Sequence, residues 1–233
     1  LEKRLHELAA YDAPEEEKKH IQAELHALQE LLLQKKETKK HTFNGWNRSS
    51  EVLLLTLPAF REVLAEDVIG KKKVLKSGVR TIVSDFAATM KIRTFQELLF
   101  VIHTQTEKNV LSAKPQQLAE QLLQSDLLQL LTETHKGDMP FYFRIGVSGS
   151  MALEERSAFA KRTASAIEEA FDRKLINSTS HYEIEIRLLQ NREGGFVPLL
   201  KLYTLPDHRF DYRRYYVAAS MKPTMAAGLM ALA

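Results

Sequence analysis

Phe141-Tyr142-Phe143-Arg144-Ile145-Gly146-Val147 is a run of strand length, rich in aromatic and β-branched residues, and it stops at Ser148-Gly149-Ser150. Beyond the break, Phe159, Ala166, Ile167, Ala170 and Phe171 recur at helical spacing in a segment that also carries Arg156, Lys161 and Arg162. A strand thus delivers basic side chains onto a helix start. There, unpaired backbone N–H groups and the positive end of the helix dipole favour anions, phosphate included. Residues 141–171 form an αβ unit whose charged face is either simply solvated or a surface that handles RNA.

Downstream, Tyr182, Ile184, Ile186 and Leu188 alternate with Glu183, Glu185 and Arg187, the pattern of a strand with one buried face. Glu193-Gly194-Gly195 turns it back into 196–203, giving an antiparallel hairpin. Upstream, 116–131 reads as a helix through Leu118, Leu122, Leu123 and Leu127, and Gly137-Asp138-Met139-Pro140 is a break. Residues 109–115 read as a connection.

A second alternation precedes this unit. Residues 52–57 suit a strand; Pro58 opens a helix with a stripe of Phe60, Val63, Leu64 and Val68, and Gly70 ends it. The segments 73–76 and 79–84 flank Ser77-Gly78 as a hairpin, and a short helix over 85–90 takes Asp85 as its cap. Phe95, Leu98, Leu99, Phe100, Val101 and Ile102 are too continuous for a surface helix and fit a buried strand over 94–103. The order is βαββαβ, the split ferredoxin-like arrangement.

The first forty residues are charge-rich and helical, broken at Asp12-Ala13-Pro14 into a helical hairpin. Ile21, Leu25, Leu28 and Leu32 share one face, which Leu5 and Leu8 can meet; such a stripe serves packing or the binding of a protein partner. Lys35, Lys36, Lys39 and Lys40 form its basic end. Residues 42–50, with Asn44-Gly45 and Ser49-Ser50, read as a loop or linker in which Trp46 docks onto a neighbouring domain.

The 233 residues, 44% hydrophobic and 27% charged, suffice for two modest cores in an α+β / α/β protein. With no cysteine there are no disulfides, thiolate nucleophiles or thiolate zinc sites, and a cytoplasmic location is expected. No apolar run approaches the roughly 18 to 20 residues of a membrane span, and the chain, which opens at Leu1, reads as part of a longer polypeptide. A net charge of +3 allows a polyanionic partner without requiring one.

Several chemistries lack their motifs. Gly146-Val147-Ser148-Gly149-Ser150 is neither a phosphate loop nor a nucleophile elbow; its small residues suit a sharp turn. The eight histidines contain no metal-ligating pair, and Glu154 with Glu155, or Glu168 with Glu169, point in different directions on a helix. No metal site is expected. What remains is basic residues at edges and turns: Lys71 to Lys73, Lys76 and Arg80; then Arg144, Arg156, Lys161 and Arg162; then Arg209, Arg213 and Arg214 among Phe210, Tyr212, Tyr215 and Tyr216. Arg and Lys on phosphates, with aromatic faces for stacking, is the chemistry of sequence-tolerant RNA binding.

Near the C-terminus stands Phe210-Asp211-Tyr212-Arg213-Arg214-Tyr215-Tyr216-Val217-Ala218-Ala219-Ser220-Met221-Lys222-Pro223-Thr224-Met225-Ala226-Ala227-Gly228-Leu229. It resembles the lead-in to the catalytic domain of the THUMP-containing RNA methyltransferases, an Arg-Tyr-Arg element followed by an Ala-Ser-x-x-Pro-Thr-x-Ala-Ala-x-Leu helix start. The resemblance implies a helical hairpin at 1–48 ending a larger helical region, a ferredoxin-like domain at 49–108, an α/β THUMP RNA-binding domain at 109–211, and the catalytic lead-in at 212–233.

It also implies a complete protein that uses S-adenosylmethionine to methylate a base, commonly guanosine N2, in tRNA or rRNA. Arg80, Arg144, Arg156, Lys161, Arg162, Arg213 and Arg214 are then the candidate RNA-binding residues. Lys222, Pro223 and Thr224 are candidates for one wall of the cofactor pocket, or simply a Pro-opened helix start. The family's glycine-rich cofactor loop and Asn/Asp-Pro-Pro-aromatic motif do not occur in these residues, so this stretch alone is expected to bind RNA and catalyse nothing. A non-catalytic RNA-binding or ribosome-associated adaptor, and a helical-scaffold interaction module built on residues 1–40, are the alternatives.

Overall fold

The computed structural model describes residues 41–46, 48–212 and 221–232. The helical hairpin expected at 1–40 lies outside them, as do Arg213 and Arg214. Along the described chain run β1 (Thr42–Phe43), β2 (Ser50–Leu55), a 3-10 turn (Pro58–Phe60) leading into α1 (Arg61–Asp67), β3 (Lys72–Leu75), β4 (Gly78–Val83), α2 (Phe86–Thr89) and β5 (Glu97–Val101). Then come α3 (Pro115–Leu123), α4 (Leu127–Thr134), β6 (His135–Lys136), β7 (Phe141–Ser148), α5 (Leu153–Ala170), β8 (Leu175–Asn177), β9 (Ile184–Gln190), β10 (Phe196–Leu202) and α6 (Pro223–Leu232).

Local chemistry accounts for most boundaries. Pro58 opens the turn into α1, and the Asp85 carboxylate accepts the Ala88 N–H at 2.9 Å to cap α2. The single helix expected over 116–131 is two. Ser125 and Asp126 break it: Ser125 Oγ donates to the Leu122 carbonyl, and the Asp126 carboxylate accepts the N–H of His103 at 2.8 Å. The span expected to be a loop at 42–50 contains β1, which pairs with β6 through Thr42 to Lys136 and Phe43 to His135. Two residues are too few to leave a periodicity in sequence.

Eight strands form one mixed sheet in the order β3-β4-β2-β5-β10-β9-β7-β8. The first six are joined antiparallel, whereas β7 runs parallel to both β9 and β8. The seam between the two expected units is β5 against β10, where Leu199 pairs with Val101 and Leu200 with Phe100. The alternations seen in sequence therefore supply two parts of a single sheet.

The two faces differ. Val52, Leu54, Phe100, Leu200, Ile186 and Phe143 project to one side, where α1, α3, α4 and α5 bury Leu64, Leu118, Leu130 and Ile167 against them. Trp46 belongs to this core, stacked on Phe100 with ring centroids 4.0 Å apart. The intervening residues of each strand lie on the opposite face, around a smaller apolar cluster of Leu53, Leu99, Val101 and Leu199. The alternation at 182–188 was expected to leave Glu183 and Glu185 in water, yet both are buried, because each carboxylate has partners inside the protein.

Candidate nucleic-acid interface

Register places Lys73, Arg80, Leu53, Leu99, Lys201, Glu185 and Arg144 in one row across the sheet, all on the face opposite α1, α3, α4 and α5. Arg80 and Arg144 thus share a face but sit five strands apart, which at about 4.8 Å per step is about 24 Å. Both are engaged within the protein. Arg80 grips Glu51 through Nε at 2.6 Å and Nη2 at 2.7 Å. Arg144 donates from Nε to Glu185 at 2.8 Å and from Nη1 and Nη2 to the Tyr182 and Tyr203 hydroxyls, both at 2.6 Å, while its guanidinium lies 4.1 Å from the Tyr182 ring centre.

Around Arg144 the charges form a chain. Glu185 also accepts Arg187 Nε at 2.6 Å; Arg187 reaches Glu97, and Glu97 takes Lys201 as well. The chain links β7, β9, β10 and β5 across the seam between the two halves. Burial works to raise the Glu97 carboxyl, but the hydrogen bonds from Arg187 and Lys201 outweigh it and hold the group down at about 2. Glu185 is lowered in the same way, burial opposing the bonds from Arg187 and Arg144, and the Tyr203 hydroxyl is pushed up by burial and by its bond to Glu185. The glycine at 146 serves this chain: a Cβ there would sit 2.6 Å from Glu185 Oε1. Gly146 was expected to be turn-forming, and what requires it is the buried carboxylate beside it. Likewise a Cβ at Gly149 would meet the Gln190 side chain at 2.5 Å, and Gln190 Oε1 accepts the Ser150 N–H at 3.2 Å.

The helix start that looked receptive to anions is occupied by its own carboxylates. Glu154 and Glu155 lie in the first turn of α5, and the cap residue Ala152 offers no side chain. They answer the dipole that a phosphate would have used. Arg156, Lys161 and Arg162 do not converge either: at about 100° per residue the three point about 100–140° apart around the helix. Arg156 is half-buried and donates to the Met151 carbonyl at 3.0 Å, whereas Lys161 and Arg162 are exposed.

Arg209, counted above among the basic residues near the aromatic run, is a buried residue. Its guanidinium carbon lies 3.7 Å from the Phe95 ring centre, and its nitrogens donate to the Ile92 and Phe95 carbonyls and to Asp207. Lys222, Pro223 and Thr224 open α6. Thr224 is buried on the same helical face as Gly228, against Phe60; Pro223 is half-buried, and Lys222 is exposed. Three residues on one turn, one of them packed inward, do not enclose an adenosine-sized ligand, so the residues present do not by themselves make a cofactor site. Among the described residues no cluster of three His, Cys, Asp or Glu could hold a metal ion. No described helix is long and apolar enough to cross a membrane.

The carboxylates and tyrosines that engage the arginines, Glu51, Glu97, Glu185, Tyr182 and Tyr203, were not picked out from sequence. The one available signal was the alternation that set Glu183, Glu185 and Arg187 on the same side of a strand.

No family model matches the chain, and no curated protein matches it. Its fold has solved counterparts. One is a Listeria monocytogenes protein described as a predicted N6-adenine-specific DNA methylase, at 16% identity and a TM-score of 0.54 over 87% of this chain and 50% of that one. Another is described as "SMU.472, a putative methyltransferase complexed with SAH", at 14% identity and a TM-score of 0.57 over 81% of this chain and 50% of that one. TrmN from Thermus thermophilus matches over 64% of this chain and 45% of its own at 15% identity, with a TM-score of 0.45. The chain spans about half the length of the structures it matches. At these identities the likeness is one of fold: a mixed α/β architecture with a large mixed sheet, shared with part of structures described as methyltransferases.

Proposed function

We propose that this chain is the RNA-binding portion of a protein that, when complete, uses S-adenosylmethionine to methylate a base in tRNA or rRNA, guanosine N2 being the favoured target. Residues 49–108 serve as a ferredoxin-like domain: their four long strands, taken in chain order, lie in the sheet as second, third, first, fourth. Residues 109–211 serve as a THUMP domain, and 212–233 lead into the catalytic domain. The observation that carries this reading is α6. The Pro-Thr-x-Ala-Ala-x-Leu stretch, which resembles the catalytic lead-in of that family, opens a helix at Pro223, and that helix packs on Phe60 of the first unit. The solved structures of like fold that are described as methyltransferases are in keeping with it.

In this role the chain holds and orients RNA. Exposed Lys161 and Arg162 contact phosphates together with Arg213 and Arg214, while Arg80, Arg144 and Arg156 contribute field and shape from their internal bonds. Lys222 lines the cofactor's approach in the complete protein.

The test is RNA binding measured across salt. Affinity for a tRNA acceptor stem or an rRNA hairpin is expected to fall steeply between 50 and 200 mM salt, on the order of 10³-fold for six phosphate contacts. Changing Arg156, Lys161 and Arg162 together to Ala lowers the salt slope by about two. An intact protein that binds no RNA, or that leaves guanosine unmethylated when mass spectrometry follows incubation with S-adenosylmethionine, removes the proposal.

A further inference from the structure

The three consecutive lysines on β3 and just before it do two different things. Lys72 projects to the helix-covered face, where Nζ donates to the carbonyls of Ala65 and Val68, the latter at 2.7 Å, and so closes the C-terminal end of α1. Lys71 and Lys73 fall on the other face, in the rows of Ile82 and Arg80. The Thr81 hydroxyl fixes the backbone there by donating to the Lys71 carbonyl at 2.8 Å.

Lys71 and Lys73 border an open hollow of about 310 Å³ shared with Glu51, Arg80, Thr81 and Ile82. On this face the hollow has three cationic side chains, Lys71, Lys73 and Arg80, against one carboxylate, and that carboxylate is already held by Arg80. Elsewhere on this face Arg144, Arg187 and Lys201 each have a carboxylate partner. Lys71 and Lys73 are exposed and have none among the described residues. The unneutralised charge of the face is therefore concentrated at the β3 edge of the sheet.

We propose that this edge is a contact for the phosphate backbone of RNA, Lys71 and Lys73 supplying the charge and the Arg80–Glu51 pair setting the floor of the hollow. The assignment rests on the RNA-binding function proposed above and adds to it a surface at the opposite end of the sheet from β7 and α5. Lysines on an edge strand also guard against pairing with another chain's strand. The two roles separate under charge reversal: Glu keeps the edge charged and guarded but repels phosphate.

The experiment compares the full chain with its Lys71→Glu/Lys73→Glu variant in RNA binding at several salt concentrations, with light scattering as a check on association. The variant is expected to stay monodisperse, to lose tenfold or more in affinity at 100 mM salt, and to show a salt slope smaller by about two. A monodisperse variant that binds RNA as tightly as the original overturns the proposal and leaves the lysines as edge guards. Absence of RNA binding in the original chain overturns the broader function and the contact with it. Should the variant fail to fold, acetylation of lysines in the unmodified protein decides: RNA is expected to protect Lys71 and Lys73, and equal labelling with and without RNA rejects the contact.

Discussion

Arg209 lies against Phe95, its guanidinium carbon 3.7 Å from the ring centre and its side chain 3% exposed. It donates to the Phe95 carbonyl at 2.8 Å and holds the Asp207 carboxyl below the ordinary carboxylate range. The segment after β10 is thereby fastened to the approach to β5. Arg209→Ala leaves two carbonyls without a donor and removes the stack, and is expected to cost about 3 kcal/mol in urea unfolding. Arg209→Lys, which lacks the planar fork, recovers less than half of that. A loss within about 0.5 kcal/mol for the Ala variant, the range of an ordinary surface position, would show the contact to be incidental.

Glu97 joins Arg187 and Lys201 across the β5–β10 seam, and its carboxyl is held at about 2 against an ordinary 4.5. A carboxylate lowered in the folded state adds stability above its unfolded value and loses it as pH falls through the folded one. That contribution is present above pH 4.5 and declines toward pH 2. Glu97→Gln is expected to cost about 2 kcal/mol at pH 7, discounted for partial exposure, and to flatten the unfolding profile in the acid window. A variant whose acid profile overlays the original would exclude this role.

Sequence made the local elements legible and left their assembly hidden. Alternation or helical spacing located α5 and β9, and apolar runs of strand length between turn signals located β2, β4, β5, β7 and β10. These patterns could not show that β5 pairs with β10 at Leu199 and Val101, because that pairing joins residues about a hundred positions apart through backbone groups that carry no sequence signal. The same limit explains the site. Arg80 and Arg144 looked like free cations because Glu51 and Glu185, which engage them, lie far along the chain, and the Phe95 ring and carbonyl that bury Arg209 beside its near neighbour Asp207 are more than a hundred residues away. Lys72 looked like its neighbours until strand alternation put it on the other face. β8, only three residues long, left no pattern to find.

His135 opens β6, beside β1, with Nε2 bonded to the Thr204 hydroxyl at 2.6 Å, the His41 ring 6.3 Å away and Phe141 against it. Burial, reinforced by His41, holds its imidazole below the ordinary 6.5, while the Leu131 carbonyl and Glu183 oppose the shift. The folded chain thus keeps His135 neutral where the unfolded chain takes up a proton. Stability is complete above pH 6.5 and is lost as pH falls toward the depressed value. Urea midpoints measured from pH 7.5 to 5 should fall for the original chain and fall less for His135→Gln. Parallel profiles would assign the acid sensitivity to other groups.

Gly228 and Phe60 fix where α6 sits. A Cβ at position 228 would lie 2.7 to 2.9 Å from three carbons of the Phe60 ring, closer than van der Waals contact allows, and Phe60 is itself buried beside α1. Thr224, one turn earlier on the same face, is the other buried residue of α6, so the helix rests on a narrow strip. Gly228→Val cannot be absorbed by a flexible neighbour, since the facing atoms belong to a rigid ring. Hydrogen exchange of the α6 amides is expected to accelerate at least tenfold in this variant, while amides of β2, β5 and β10, hydrogen-bonded within the sheet, keep their protection. Combining it with Phe60→Ala should restore part of the α6 protection, the new isopropyl group filling space the ring has left, and the two changes should therefore couple by about 1 kcal/mol or more. Additive effects, or an α6 that exchanges as slowly in Gly228→Val as in the original, would mean the helix is held by something other than this notch.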